Sequence, residues 1–189
     1  SSDDQGGGNR FPWHEGTMPT YTARAIKTSF VFDLDAFLAD CAVRNQELRS
    51  DLAGALARWQ TELSATLLRT GRRQLLLVRL GDLAEKEAGQ DWDKDPYRTF
   101  LRTCLAQALC MGLAGLLIPR LSETGCAPVP RPTPALASAL AELGVPYLRF
   151  GEATLSRRFS LLTHYPFQGA CEICFLRPGC PGPRRAFQV

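Results

Sequence analysis

The stretch "LLRTGRRQLLLVRL", residues 67–80, decides how the chain is read. Its Leu67 ends a stripe of Leu48, Leu52, Leu56, Trp59, Leu63 and Leu67, spaced by three and four as on one helix face. The spacing predicts a helix over 46–68, closed by "TGRR" with Gly71 as its left-handed cap. "QLLLVRL" (74–80) then reads as a short buried strand. A long amphipathic helix feeding a buried strand is the unit of a parallel sheet.

Working outward, the same unit recurs. "TSFVFDL" (28–34) reads as an earlier buried strand, and "AGLLIPRL" (114–121), "VPYLRF" (145–150) and "FSLLTHY" (159–165) as later ones. Between them, Asp95 and Pro96 supply an N-cap and a favoured first residue for a helix that Gly112 should end. Thr133 and Pro134 open a second helix, "ALASALAEL", stopped at Gly144. The expected fold is α/β: a mainly parallel sheet of four to five strands with helices on both faces. It would be an open three-layer sandwich or part of a β/α barrel, with a Cys-rich C-terminal segment appended. The expected divisions are a flexible arm over 1–25, the α/β domain over 26–165 and a Cys/Pro/Gly-rich segment over 166–189, pinned by a metal.

Composition narrows the setting. At 189 residues and 45% hydrophobic content the chain suits one core. The N-terminus lacks a basic start and apolar run, and no stretch reads as a membrane span. Seven cysteines, an odd number, include Cys104 and Cys110 within an apolar helical pattern, as suits a reducing compartment. The expectation is an intracellular protein, nuclear or cytoplasmic, with no membrane partner.

Charge is uneven along the chain. Residues 1–95 hold 12 Lys and Arg against 15 Asp and Glu, whereas residues 96–189 hold 10 Arg, no Lys and 4 Glu. Arginine suits bidentate contact with phosphate or carboxylate. Arg157, Arg158, Arg177, Arg184 and Arg185 flank the last cysteines with few acids nearby, and are the expected contacts to a nucleic acid or an acidic protein surface.

"HYPFQGACEICFLRPGCPGPRR" carries the most specific chemistry. Cys171 and Cys174 have the C-x2-C spacing that folds two thiolates onto one metal, and Cys180 follows in a Pro/Gly-rich turn. His164 would complete a closed tetrahedral zinc site; Cys126 or a partner residue is the alternative fourth ligand. The Cys-Pro ending also suits an iron–sulfur cluster, the second choice of cofactor. His14, beside Trp13 and Glu15, reads as surface.

A different chemistry is conceivable at the strand ends. Asp33, Asp35, Asp82, Glu123 and Glu152 would line the carboxyl edge of a parallel sheet, where Mg²⁺ could position water against a phosphoester. "VFDLDAFLAD" (31–40) resembles the first motif of haloacid-dehalogenase-like phosphatases, which would make Asp33 the nucleophile and Asp35 the general acid. It also resembles the opening motif of Y-family DNA polymerases, whose Asp-x-Asp-x-Phe holds a metal ion. Neither likeness extends beyond about ten residues. The first family needs a later Lys and later acidic pair, yet no Lys or Asp follows position 95; the second needs a later Asp-Glu pair. The favoured expectation is therefore a non-catalytic subunit of an assembly, with a Mg-dependent nuclease or phosphatase as the alternative.

Overall fold

In this computed structural model, residues 20–166 and 171–180 are described. Most of the expected arm, His14, Arg184 and Arg185 lie outside them.

The elements run β1 (Thr22–Ile26), α1 (Leu34–Asp40), α2 (Gln46–Trp59), β2 (Ser64–Thr70), β3 (Arg73–Arg79), α3 (Asp82–Glu87), α4 (Pro96–Leu117), α5 (Arg120–Thr124), α6 (Pro134–Glu142), β4 (Tyr147–Arg149), β5 (Thr154–Leu155) and β6 (Ser160–His164). The main sheet has the order β1-β2-β3-β6, and every neighbouring pair is antiparallel. β4 and β5 form a separate two-stranded ribbon. This overturns the expected parallel sandwich or barrel.

The cause lies in residues 64–70. Helix α2 stops at Trp59, a single 3-10 turn follows over Gln60–Glu62, and "SATLLRT" is a strand. Leu63 and Leu67 keep helical spacing by coincidence, while the local alternation has period two. Ala65 packs toward one face of the sheet and Leu68 toward the other. Gly71 is a hairpin residue and not a helix cap. It adopts φ +51°, the left-handed backbone that a two-residue loop between paired Thr70 and Arg73 favours.

Two further expected strands are absent. Residues 28–33 run outside any strand into α1, with the Phe30 and Phe32 rings meeting edge-on at 6.3 Å and the Phe32 and Phe37 rings tilted together at 5.8 Å. α4 continues through Gly112 to Leu117 and takes up the first half of the 114–121 run, because an apolar stretch of that length fits either a strand or a buried helix. Gly112 is useful there for its missing side chain: a Cβ would lie 2.8 Å from the Phe30 ring. Residues 22–26, expected mostly within an arm, form the edge strand β1.

Side chains divide between the two faces of the sheet. Ala65, Leu76 and Val78 join Leu52 and Trp59 of α2 and Leu101, Leu105, Leu109 and Leu113 of α4 in the larger core. Leu68, Leu75, Leu77 and Leu162 meet Leu136, Ala139 and Leu140 of α6 in the smaller one. Each fully buried leucine stabilises the fold by roughly 1.5–3 kcal/mol. By length and composition α4 could cross a membrane, a run that the sequence reading passed over; here it is a packed core helix.

Polar anchors tie helices across this core. The fully buried Trp59 donates its indole N–H to Glu87 at 2.8 Å, and Arg58 grips the same carboxylate at 3.2 and 2.9 Å. Arg102 of α4 holds Asp51 of α2 through two donors. These are partly buried bidentate pairs, the geometry in which an ion pair contributes most.

Candidate metal centre

The connector "CAPVPRPTP" (126–134) crosses beside β6, fixed there by the Thr163 hydroxyl, which donates to the Pro128 carbonyl at 2.9 Å. Thr163 is fully buried, so this bond satisfies a hydroxyl that water cannot reach. Residues 171–180 return onto the same connector. The Phe175 amide donates to the Val129 carbonyl at 2.8 Å, and the Val129 amide donates to the Cys174 sulfur at 3.4 Å. Arg131 lies over the Phe175 ring at 5.5 Å.

Within the returning segment, two short turns shape the thiols. The Cys174 amide bonds the Cys171 carbonyl at 3.2 Å, and the Cys180 amide bonds the Arg177 carbonyl at 3.2 Å. The result gathers four cysteines. Burial pushes the Cys126 thiol up from its ordinary range, and the neighbouring Cys174, Cys171 and Cys180 push it further in the same direction. All seven cysteines of the chain are free thiols. Among the described residues, no group of three or more His, Cys, Asp or Glu side chains stands arranged to hold a metal ion. The three thiols of the segment thus bear on Cys126 without the set standing arranged as a metal site among the described residues.

His164, the expected fourth ligand, lies against the same segment, where Ile173, between Cys171 and Cys174, gives it a backbone hydrogen bond. It pairs with Leu75 in the β3–β6 register. Burial and then Arg73 lower its pKa, opposed by a backbone hydrogen bond with Ile173, so the imidazole is neutral at pH 7. Its Nε2 is buried without a partner among the described residues. Arg73 and the Ile173 backbone bear on it, while the Cys126 thiol is the one that feels the other three cysteines.

The five acids of the hydrolase alternative are dispersed. Asp33 caps α1 by accepting from the Ala36 amide at 2.9 Å, and Asp35 pairs with Arg49 at 3.1 Å. Asp82 opens α3 and pairs with Arg157 at 2.6 Å; Glu152 pairs with Arg149 at 3.1 Å. Glu123 is exposed on α5. An antiparallel sheet sends successive strand ends to opposite edges, so the common carboxyl edge expected to gather these groups does not exist. Cys110 also stays outside any site: burial raises its pKa to about 12, and its sulfur donates to the Phe159 carbonyl at 3.5 Å inside the core.

The expected partner arginines divide. Arg157 bonds the Gly144 carbonyl at 3.2 Å besides Asp82, and Arg158 bonds the Glu85 carbonyl at 3.1 Å while lying 4.5 Å from the Phe159 ring centre. Both hold the loop before β6 against α3 and the turn after α6. Arg177 is exposed in the cysteine segment. A second set of cations was missed: Arg24, Lys27, Arg69, Arg72 and Arg73, all exposed on or beside β1–β3. The signal was available, because residues 20–32 and 63–81 contain no acid, but a charge count by halves buries it.

Compared with known protein families, with curated proteins and with solved structures, the chain finds no match.

Proposed function

We propose that this chain is a non-catalytic module of a larger intracellular assembly, with a C-terminal segment pinned by a metal and arginines offered to an acidic partner. The metal's ligands are Cys126, Cys171, Cys174 and Cys180. The observation that supports it is the docking of residues 171–180 on the connector, which brings three cysteines to a fourth from a distant part of the chain. Four thiolates suit a closed tetrahedral zinc site, with an iron–sulfur cluster as the second choice. A metal held there would supply folding free energy to a segment that has little core of its own. The Val129 amide fits this role, since an N–H directed at a sulfur steadies a thiolate.

Metal content, measured on protein purified under reducing conditions with an absorption spectrum beside it, tests the reading. About one zinc per chain, lost in Cys174→Ser, is the expected result. Visible absorption with iron in place of zinc transfers the site to a cluster. Protein without zinc or iron, folded as before, overturns the metal.

A further inference from the structure

Ion pairs are unevenly distributed over the fold. Arg49, Arg58, Arg98, Arg102, Arg149 and Arg157 each hold an acid within 3.1 Å. Among the described residues no acid pairs with Arg24, Lys27, Arg69, Arg72 or Arg73, and the two stretches that carry them contain none. Among the described residues, Arg44, Lys86 and Arg120 among the helices also hold no acid, but acids stand near them in sequence. The β1–β3 stretches are distinguished by Arg24, Lys27, Arg69, Arg72 and Arg73 standing with no acid anywhere in residues 20–32 and 63–81.

Strand register arranges the free ones. Arg69 faces Thr22, and Arg24 faces Leu67 two residues along, so both arginines project from the same side of the sheet. Arg73 faces Thr70 and projects from the opposite side, and Arg72 stands at the hairpin tip between them. The cations thus wrap around the end of the sheet.

Beneath Arg72 and Arg73 lies a cavity of about 490 Å³, also lined by Tyr21, Thr70, Thr133 and Ala135. The last two belong to the start of α6, where Thr133 caps the Leu136 amide and Pro134 has no N–H. Among the described residues, no carboxylate lines the cavity.

We infer that the β1–β3 end binds single-stranded nucleic acid, with backbone phosphates along Arg24, Arg69, Arg72 and Arg73 and one nucleotide in the cavity beside Tyr21. This rests on the reading of the chain as a non-catalytic binding module and is independent of the metal. A polymer with a charge on every unit can pass around the sheet end and meet cations on both faces, which a single anion cannot. Arginine forks match phosphate oxygens bidentately. The Tyr21 ring offers a surface on which a base can stack, a contact that an acidic polypeptide would leave unused.

The test uses the full chain and a fluorescently labelled single-stranded oligonucleotide of mixed sequence, followed by anisotropy over a salt series. Arg72→Glu with Arg73→Glu should weaken binding by at least about tenfold at low salt and flatten the salt dependence. Arg149→Glu, on the separate ribbon, should leave affinity within about twofold. Arg72→Gln with Arg73→Gln repeats the measurement with less risk to the hairpin, and circular dichroism reports folding of each variant. Equal affinity in folded wild type and variants overturns the assignment, as does absence of binding by wild type. Displacement of the oligonucleotide by polyglutamate at equal charge concentration also overturns it, in favour of an acidic protein partner. Zinc and iron content read on the same samples reports separately on the metal centre.

Discussion

The Val129 amide donates to the Cys174 sulfur at 3.4 Å, while Val129 accepts from the Phe175 amide at 2.8 Å. This two-way contact, one bond to a backbone carbonyl and one to a side-chain sulfur, joins parts of the chain separated by α6, β4, β5 and β6. It places the fourth thiol of the proposed centre on the connector. Cys126→Ser should therefore release zinc as Cys174→Ser does, whereas His164→Gln should retain it. Metal analysis after gel filtration distinguishes the two, and retention by Cys126→Ser with loss by His164→Gln would return the fourth position to the imidazole.

Glu87 should govern part of the acid sensitivity. Burial alone would raise its pKa, but hydrogen bonds from Arg58 and Trp59 more than reverse this, leaving the folded value lowered. The folded chain thus binds that proton less readily than the unfolded chain. The stabilisation is full above the ordinary carboxylate pKa of about 4.3 and is lost as pH falls through the lowered folded value. Glu87→Gln should cost on the order of 1–3 kcal/mol at neutral pH, with the gap to wild type narrowing in acid. Urea unfolding at neutral pH and near pH 3 measures both; a gap that widens in acid contradicts the assignment.

Asp33 has a separable role as a helix cap. Asp33→Ala should cost about 0.5–2 kcal/mol, because the Ala36 amide loses its acceptor. Asp33→Asn should be close to neutral, since an asparagine oxygen caps as well. Urea unfolding of the pair checks this, and a large loss in Asp33→Asn would show that the charge itself is needed.

Elements with local chemical markers were readable. Asp95 with Pro96 starts α4, and Thr133 with Pro134 starts α6, as their capping residues imply. Where apolar periodicity was the sole guide, the reading failed. Leu63 and Leu67 continue the α2 stripe in number although Leu63 already lies past the helix and Leu67 within a strand. Residues 114–117 lack any mark separating a buried strand from the last turn of α4. Those two errors converted a hairpin into a helix-strand unit and an antiparallel sheet into a parallel one. At the candidate site, the C-x2-C spacing was visible, and Cys126 was an open alternative. What brings either residue near the segment is its docking on Val129, through backbone and sulfur contacts that leave no trace in residue type.

β3 acquires its two neighbours on very different terms. β2 lies across a tight hairpin, whereas β6 arrives only after α3 through β5 have been traversed. Loop closure over that distance is entropically expensive, so the β3–β6 seam should zip late in folding and be the first part of the sheet to unzip. Residues 171–180 follow directly after this seam. A clasp from them to the connector at Cys126 would close a ring around β6, turning the least local pairing in the sheet into one that can fluctuate without escaping.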